Sequence, residues 1–225
     1  MNPLVSLACT AFFSYLIGSI PTAVWVSKQF FGFDIRTKGS GNMGSTNAMR
    51  VLGAKWGSIV QIIDVLKGVV PVIMLPAFFF DFTGNSETLL DNAVFVKMVA
   101  GLFAVLGHVF SVFVGFKGGK GINTAAGVLM GIAPIEFAVV LTTFLLALFS
   151  SGYVSLGSVL AGVMLPIALI FRHEVFKAQI PGYSILLPFF ILLSILVVYT
   201  HRSNIRRLLK GTENHFPKAQ IFRRK

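Results

Sequence analysis

The sequence predicts an all-α integral membrane protein with seven transmembrane helices, one of them short, an N-terminus outside and a C-terminus in the cytoplasm. Three observations lead there. Of 225 residues, 55% are hydrophobic, only 12% are charged, and 23 are Phe; mean hydropathy is +0.82. Several apolar runs reach the ~20 residues that a bilayer crossing needs. The basic residues gather in short loops and in the tail, where a topology signal belongs.

The first apolar run, Leu4 to Val26, precedes the first basic residue, Lys28. That order is not the one of a cleavable leader, and it places the N-terminus outside. Further spans are expected at 54–80, 93–116, 135–150, 154–171 and 183–200, with the first at 4–27. Pro134 divides the apolar region 122–150. Residues 122–132 supply about 16 Å of helix, short of a ~30 Å hydrocarbon core.

Charge decides whether this piece counts as a crossing. Loop 33–55 carries Arg36, Lys38, Arg50 and Lys55 against Asp34. Loop 81–92 carries Asp81, Glu87 and Asp91 and no base, while 117–121 carries Lys117 and Lys120. The tail, 201–225, carries eight Lys or Arg and one Glu. Loops then run in, out, in, and the tail is in, which requires an odd number of crossings. Seven crossings follow, with loop 172–182 outside. The expectation is a single polytopic membrane domain over 1–225, its basic tail at 201–225.

The formal net charge of +11 does not imply a nucleic-acid partner, because the charges follow the topology pattern. An anionic lipid surface or anionic substrate fits better. Cys9 is the sole cysteine, which rules out an intrachain disulfide. The four histidines lack metal-ligand spacing, so no metal site is expected. Asp64 and Lys67 sit three apart inside a span and read as a structural ion pair; the alternative is that Asp64 orients a basic residue of a site.

Four polar segments interrupt the apolar pattern. In "KGSGNMGSTNAMR", 38–50, Gly39, Gly41 and Gly44 permit close backbone approach, as in an anion nest. Ser40, Ser45 and Thr46 add hydroxyls, Asn42 and Asn47 add amides, and Arg50 adds a fork suited to phosphate. In "GHVFSVFVGFKGGKG", 107–121, Gly118, Gly119 and Gly121 surround Lys120 just before the short helix. This is not a P-loop, since Val114 and Gly121 occupy positions that motif needs as Gly and Ser or Thr. His108 lies within the preceding apolar helix and is a site candidate, with interhelical bonding as the alternative. In "GYVSLGSVL", Ser155 and Ser158 share a helical face, which capping or packing would also explain. In "THRSNIRRLLKGTEN", His201, Asn204 and Arg207 fall near one face of a helix leaving the membrane.

The stretches "GSGNMGSTN..R", "GH…F.GGKG", "SLGS" and "HRSNIRRLLKGTE" resemble those of the acyl-phosphate-dependent glycerol-3-phosphate acyltransferases of bacterial phospholipid synthesis, the PlsY family. They run in order from residue 39 to 213. Ala is expected in that family where Ser45 and Asn123 stand here.

The resemblance implies a seven-helix enzyme of the bacterial cytoplasmic (inner) membrane with its site on the cytoplasmic face. It implies transfer of an acyl group from acyl phosphate to the 1-hydroxyl of glycerol 3-phosphate, giving lysophosphatidic acid and phosphate. No cofactor is implied, and a separate peripheral enzyme supplies the donor. Carried onto this sequence, Ser40, Arg50, Lys120, His201 and Asn204 are the catalytic candidates. Gly41, Asn42, Gly44, Thr46, Asn47, His108, Gly118, Gly119, Gly121, Ser155 and Ser158 are expected to bind substrate. His201 acts either as a positioner or as a general base.

The chemistry of the sequence agrees. An acyl phosphate already carries a good leaving group, so positioning and charge stabilisation matter more than a covalent nucleophile. There is no G-x-S-x-G elbow. Nor is there an Asp five residues after any His: those positions are Phe113, Ala178, Arg206 and Gln220. Direct attack by the glycerol hydroxyl is therefore expected. The competing class is an anion transporter or channel. It would need a polar path to the outer face, where Asp81, Glu87 and Asp91 repel anions.

Overall fold

A computed structural model describes residues 2–80 and 92–216. Asp81, Glu87 and Asp91, and the tail beyond Phe216, lie outside the described residues. All regular structure among the described residues is helical. Among the described residues, six helical stretches are long and apolar enough to cross a membrane, and Ile122–Ile132 is a shorter apolar helix. The chain divides into two compact units, Met1–Ile132 and Ala133–Lys225.

In the first unit the expected span 4–27 is two helices, α1 (Pro3–Ser19) and α2 (Thr22–Phe31). Pro21 explains the break: it has no N–H and drives Ile20 out of the helical region, to ψ 113°. The break is capped from a distance. Lys67 Nζ donates to the Ile20 carbonyl at 2.6 Å and pairs with Asp64 at 2.6 Å. The Thr22 hydroxyl donates to Asp64 Oδ1 at 3.1 Å. Both ionic side chains are buried, and the pair serves as a joint for the bent first span.

The polar motif contains a helix the sequence reading treated as loop, α3 (Ser45–Leu52). It is framed by Gly44 and by Gly53 at φ +87°. Next comes α4 (Ala54–Phe79), which continues through Pro71 and Pro76. The third span ends as α-helix at Val109, earlier than expected: α5 covers Ala93–Val109, followed by a 3₁₀ turn at Val112–Val114. The Ser111 hydroxyl, which donates to the Ser19 carbonyl at 2.5 Å, holds this stop against the end of α1.

The short helix α6 (Ile122–Ile132) lies on α4. A Cβ on Gly68 would collide with the Thr124 carbonyl, and one on Gly127 with the Val65 carbonyl. The backbones therefore touch, the small-residue packing typical of membrane helices. Gly68 meets Thr124 and Val128, and Gly131 meets Val72, so α4 and α6 run in the same direction.

The second unit contains α7 (Pro134–Ser151), α8 (Val154–Glu174), α9 (Tyr183–Thr200) and α10 (Arg202–Leu209). Buried Glu136, in the first turn of α7, receives a 2.6 Å bond from Arg172 in the last turn of α8. One charged bond thus fastens one end of this antiparallel pair. α9 passes into α10 through His201, which leaves helical geometry at φ −97°, ψ 4°.

Candidate active site

In the first unit, Asn47 organises the glycine-rich loop. Its Nδ2 donates to the carbonyls of Asn42 at 2.8 Å, Lys38 at 3.2 Å and Ile35 at 3.4 Å. Its Oδ1 accepts from the Ser40 N–H at 2.8 Å. Asn42 Oδ1 accepts from the Gly44 N–H at 2.8 Å, and the Gly41 N–H bonds the Lys38 carbonyl. The nest expected from Gly39, Gly41 and Gly44 is therefore different in kind. Gly39 and Gly41 do take positive φ, at 59° and 72°, but the N–H groups of Ser40, Gly41 and Gly44 point inward to protein acceptors. Asn47 is buried. It braces the loop, where the sequence reading placed it on a phosphoryl group.

The loop presents Ser40 and Gly41 at the surface. Thr46 and Arg50 lie four apart on α3 and share a face. An open cavity of about 500 Å³ lies beside Gly41, lined also by Asp34, Arg36, Thr37, Asn42, Met43, Lys117 and Gly118. Arg36 grips Asp34 with two nitrogens, at 3.0 and 2.7 Å, and reaches the Val114 carbonyl at 3.4 Å. That guanidinium, with further help from Lys28, holds the Asp34 carboxyl well below the usual carboxylate range. Arg36 is raised in turn by Asp34. The sequence reading used Arg36 and Lys117 only as topology charges. Their position directly beside the two glycine-rich segments was the available signal that they line the cavity wall.

The segment Gly118–Gly121 runs back along the end of α5. Gly118 N–H donates to Val109 O and Gly119 N–H to His108 O, both at 3.0 Å. The His108 ring is buried against Gly119, leaving no room for a Cβ there. His108 Nδ1 has no hydrogen-bond partner among the described residues. Lys120 is half-buried, and Gly121, at φ +79°, turns the chain into α6. Just after the second motif, Asn123 Nδ2 donates to Ser45 Oγ in the first at 2.8 Å.

In the second unit, α8 starts without a side-chain cap. Ser155 in its first turn is buried, and its hydroxyl lacks a partner among the described residues. Ser158 donates to the Val154 carbonyl at 3.0 Å, so this hydroxyl is engaged within the helix. His201 is buried. Its Nδ1 lies 2.9 Å from the Val197 carbonyl, which can only accept, so Nδ1 carries a proton. Asn204 donates to Glu213 Oε1 at 2.8 Å, and Arg207 to Glu213 Oε2 at 2.7 Å. Glu213 stood in the fourth motif without a role in the sequence reading. One carboxylate joins two residues that the helical spacing had already put on a common side. Among the described residues, no group of three His, Cys, Asp or Glu side chains is placed to hold a metal.

Comparisons with known proteins give the family. The family model described as glycerol-3-phosphate acyltransferase matches residues 8–211. A glycerol-3-phosphate acyltransferase of Chlorobium limicola is 45% identical over 219 residues, covering 89% of this chain and 92% of that protein. One from Chlorobium phaeobacteroides is 43% identical over 218 residues with the same coverage. The fold also resembles a crystal structure of PlsY, an integral membrane glycerol 3-phosphate acyltransferase, in its glycerol 3-phosphate form. The TM-score is 0.78 at 36% identity, over 95% of this chain and 96% of that one. The lysophosphatidic acid form of that enzyme aligns with TM-score 0.76 at 35% identity, over 96% and 98%. With sequence and fold agreeing over nearly its whole length, the chain belongs to the glycerol-3-phosphate acyltransferase family of integral membrane proteins.

Proposed function

We propose that this chain moves a fatty acyl group from acyl phosphate to the 1-hydroxyl of glycerol 3-phosphate, releasing lysophosphatidic acid and phosphate. The observation that carries the reading is the cavity of about 500 Å³ with Arg36 and Lys117 on its wall, built from the two glycine-rich motifs. It suits a phosphate-bearing ligand. The solved relatives add an acceptor and a product, glycerol 3-phosphate and lysophosphatidic acid.

The hydroxyl oxygen attacks the acyl carbonyl directly. The carbon–oxygen bond to phosphate breaks, phosphate leaves with the electron pair, and the hydroxyl proton passes to a phosphate oxygen or to His201. Ser40, Gly41 and Thr46 contact the donor phosphoryl group, on a loop braced by Asn42 and Asn47. Arg50 and Lys120 hold the acceptor phosphate. Ser155 offers a buried hydroxyl for a substrate oxygen, and His201 and Asn204 orient the acceptor. A buried donor placed in advance needs little reorganisation when charge develops.

The reading includes a seven-crossing topology in the bacterial cytoplasmic membrane, with the N-terminus outside and the motifs and tail on the cytoplasmic side. The shared direction of α4 and α6 supports it, since α6 then starts on the side where α4 starts. A separate peripheral enzyme delivers the acyl phosphate. The test is purified protein with acyl phosphate and glycerol 3-phosphate. Equal release of phosphate and lysophosphatidic acid, dependent on both substrates, is expected. Acylation from a thioester donor but not from acyl phosphate would overturn the donor assignment.

A further inference from the structure

The helix α10 has two faces of different character. Its exposed residues are Arg202, Ser203, Arg206 and Leu209, with Lys210 exposed just past its end. At 100° per residue these five fall within one continuous sector. Asn204 lies opposite and is buried, as is His201 just before the helix. The inner face is closed by Glu213, which takes Asn204 and Arg207. The outer face thus carries three cations, a hydroxyl and no carboxylate. Leu209 is 85% exposed, the most exposed large hydrophobic residue among the described residues.

This face also touches the end of a membrane span. The Arg202 guanidinium sits 4.3 Å from the Tyr199 ring and donates to the Tyr199 carbonyl at 3.0 Å. Tyr199 is itself exposed, in the last turn of α9. An aromatic ring at a span end marks the lipid–water boundary. A basic stripe with a protruding leucine at that level has the composition of an interfacial helix.

We infer that the outer face of α10 is a docking surface for anionic phospholipid headgroups. Arg202 and Arg206, four residues apart, offer two guanidinium forks to phosphodiester oxygens. Lys210 extends the charge by one further turn, and Leu209 enters the acyl region beside the headgroup. A positive-inside signal alone would need none of this sorting, because it depends on charge number and not on which face of a helix carries it.

The test uses the full-length protein in mild detergent, mixed with phosphatidylglycerol and phosphatidylcholine of matched acyl chains in equal amounts. Native mass spectrometry counts the retained molecules of each. Near a lipid surface each basic residue is worth about fivefold in affinity. The unaltered protein should therefore retain phosphatidylglycerol at least about fivefold over phosphatidylcholine. The double variant Arg202→Gln/Arg206→Gln should lose most of that preference, and Arg202→Lys/Arg206→Lys should keep most of it. Equal retention of the two lipids by the unaltered protein would overturn the inference. So would an unchanged preference in the glutamine variant, or a lysine variant as defective as the glutamine one.

Discussion

Asn123 and Ser45 are joined by a 2.8 Å hydrogen bond across 78 residues of sequence. These are the two positions where alanine was expected from the family pattern. The departures are one change seen twice: an amide on the first turn of α6 and a hydroxyl on the first turn of α3. The bond links the helix that bears Arg50 to the one that follows Lys120. Removing either partner leaves a polar group at a largely buried contact, at a cost of about 1–2 kcal/mol. Removing both should cost less than the sum, with a coupling of about 0.5–1.5 kcal/mol. Thermal unfolding of Asn123→Ala, Ser45→Ala and the double variant measures it; strict additivity would mean the bond does not form in solution.

Asn47→Asp is nearly isosteric but cannot donate. The carbonyls of Ile35, Lys38 and Asn42 then face a carboxylate in place of an amide donor, while those of Ile35 and Lys38 keep a backbone donor. A loss of about 2–4 kcal/mol is expected from the lost bonds and the oxygen–oxygen repulsion. Limited proteolysis should show faster cleavage between residues 38 and 46. Ser40→Ala, which keeps its backbone bond to Asn47, should resist protease like the parent.

Arg50→Ala and Lys120→Ala should each raise the KM for glycerol 3-phosphate tenfold or more, since a charged hydrogen bond is worth about 1.5–3 kcal/mol. Steady-state kinetics with each substrate varied separately checks the assignment. A raised KM for the acyl donor alone would transfer these side chains to the other substrate.

His201→Gln removes an imidazole but retains hydrogen-bonding groups. If the histidine positions the acceptor, kcat should keep at least a few per cent of its value, because a lost contact of about 1.4 kcal/mol is tenfold. A general base contributes typically about 10²–10⁴-fold. A fall beyond about a thousandfold in folded protein, with the acidic limb of the pH–rate profile gone, would make it the base.

Glu213→Gln keeps an acceptor for Asn204 but replaces the charged partner of Arg207 with an amide. The expected outcome is a drop in activity that exceeds the drop in stability. Glu213→Ala, which takes the carboxylate from both, should lower both. Comparing kcat with the unfolding midpoint for the two variants separates positioning from folding.

Much of the fold was legible because lipid imposes a simple code: long apolar runs gave every long span. The interruption inside the first span was less legible, because a proline within a run of apolar residues leaves hydropathy unchanged. Helix α3 was hidden for the opposite reason. Its residues are polar, flanked by glycines, and read as loop chemistry. At the site, residue types were informative and directions were not. The spacing of "GSGNMGSTN" marked a special backbone, but whether Asn47 turned outward or inward depended on carbonyls as far away as Ile35. Glu213 and the Asn123–Ser45 bond were out of reach for a related reason, since pairing across distant segments leaves no periodic trace in a single sequence.

The joint at Ile20 has a bearing on biogenesis. The lysine that caps it comes 47 residues later in the chain, on a helix that leaves the ribosome well after the first one. Until α4 arrives beside it, the exposed carbonyl at the bend has only its local bond from the Thr22 N–H. Lys67 and Asp64, in turn, have no reason to enter the bilayer except as a neutralised couple against that bend. The bend of the first span is thus completed by a side chain made later, and the order of synthesis sets which of the two waits.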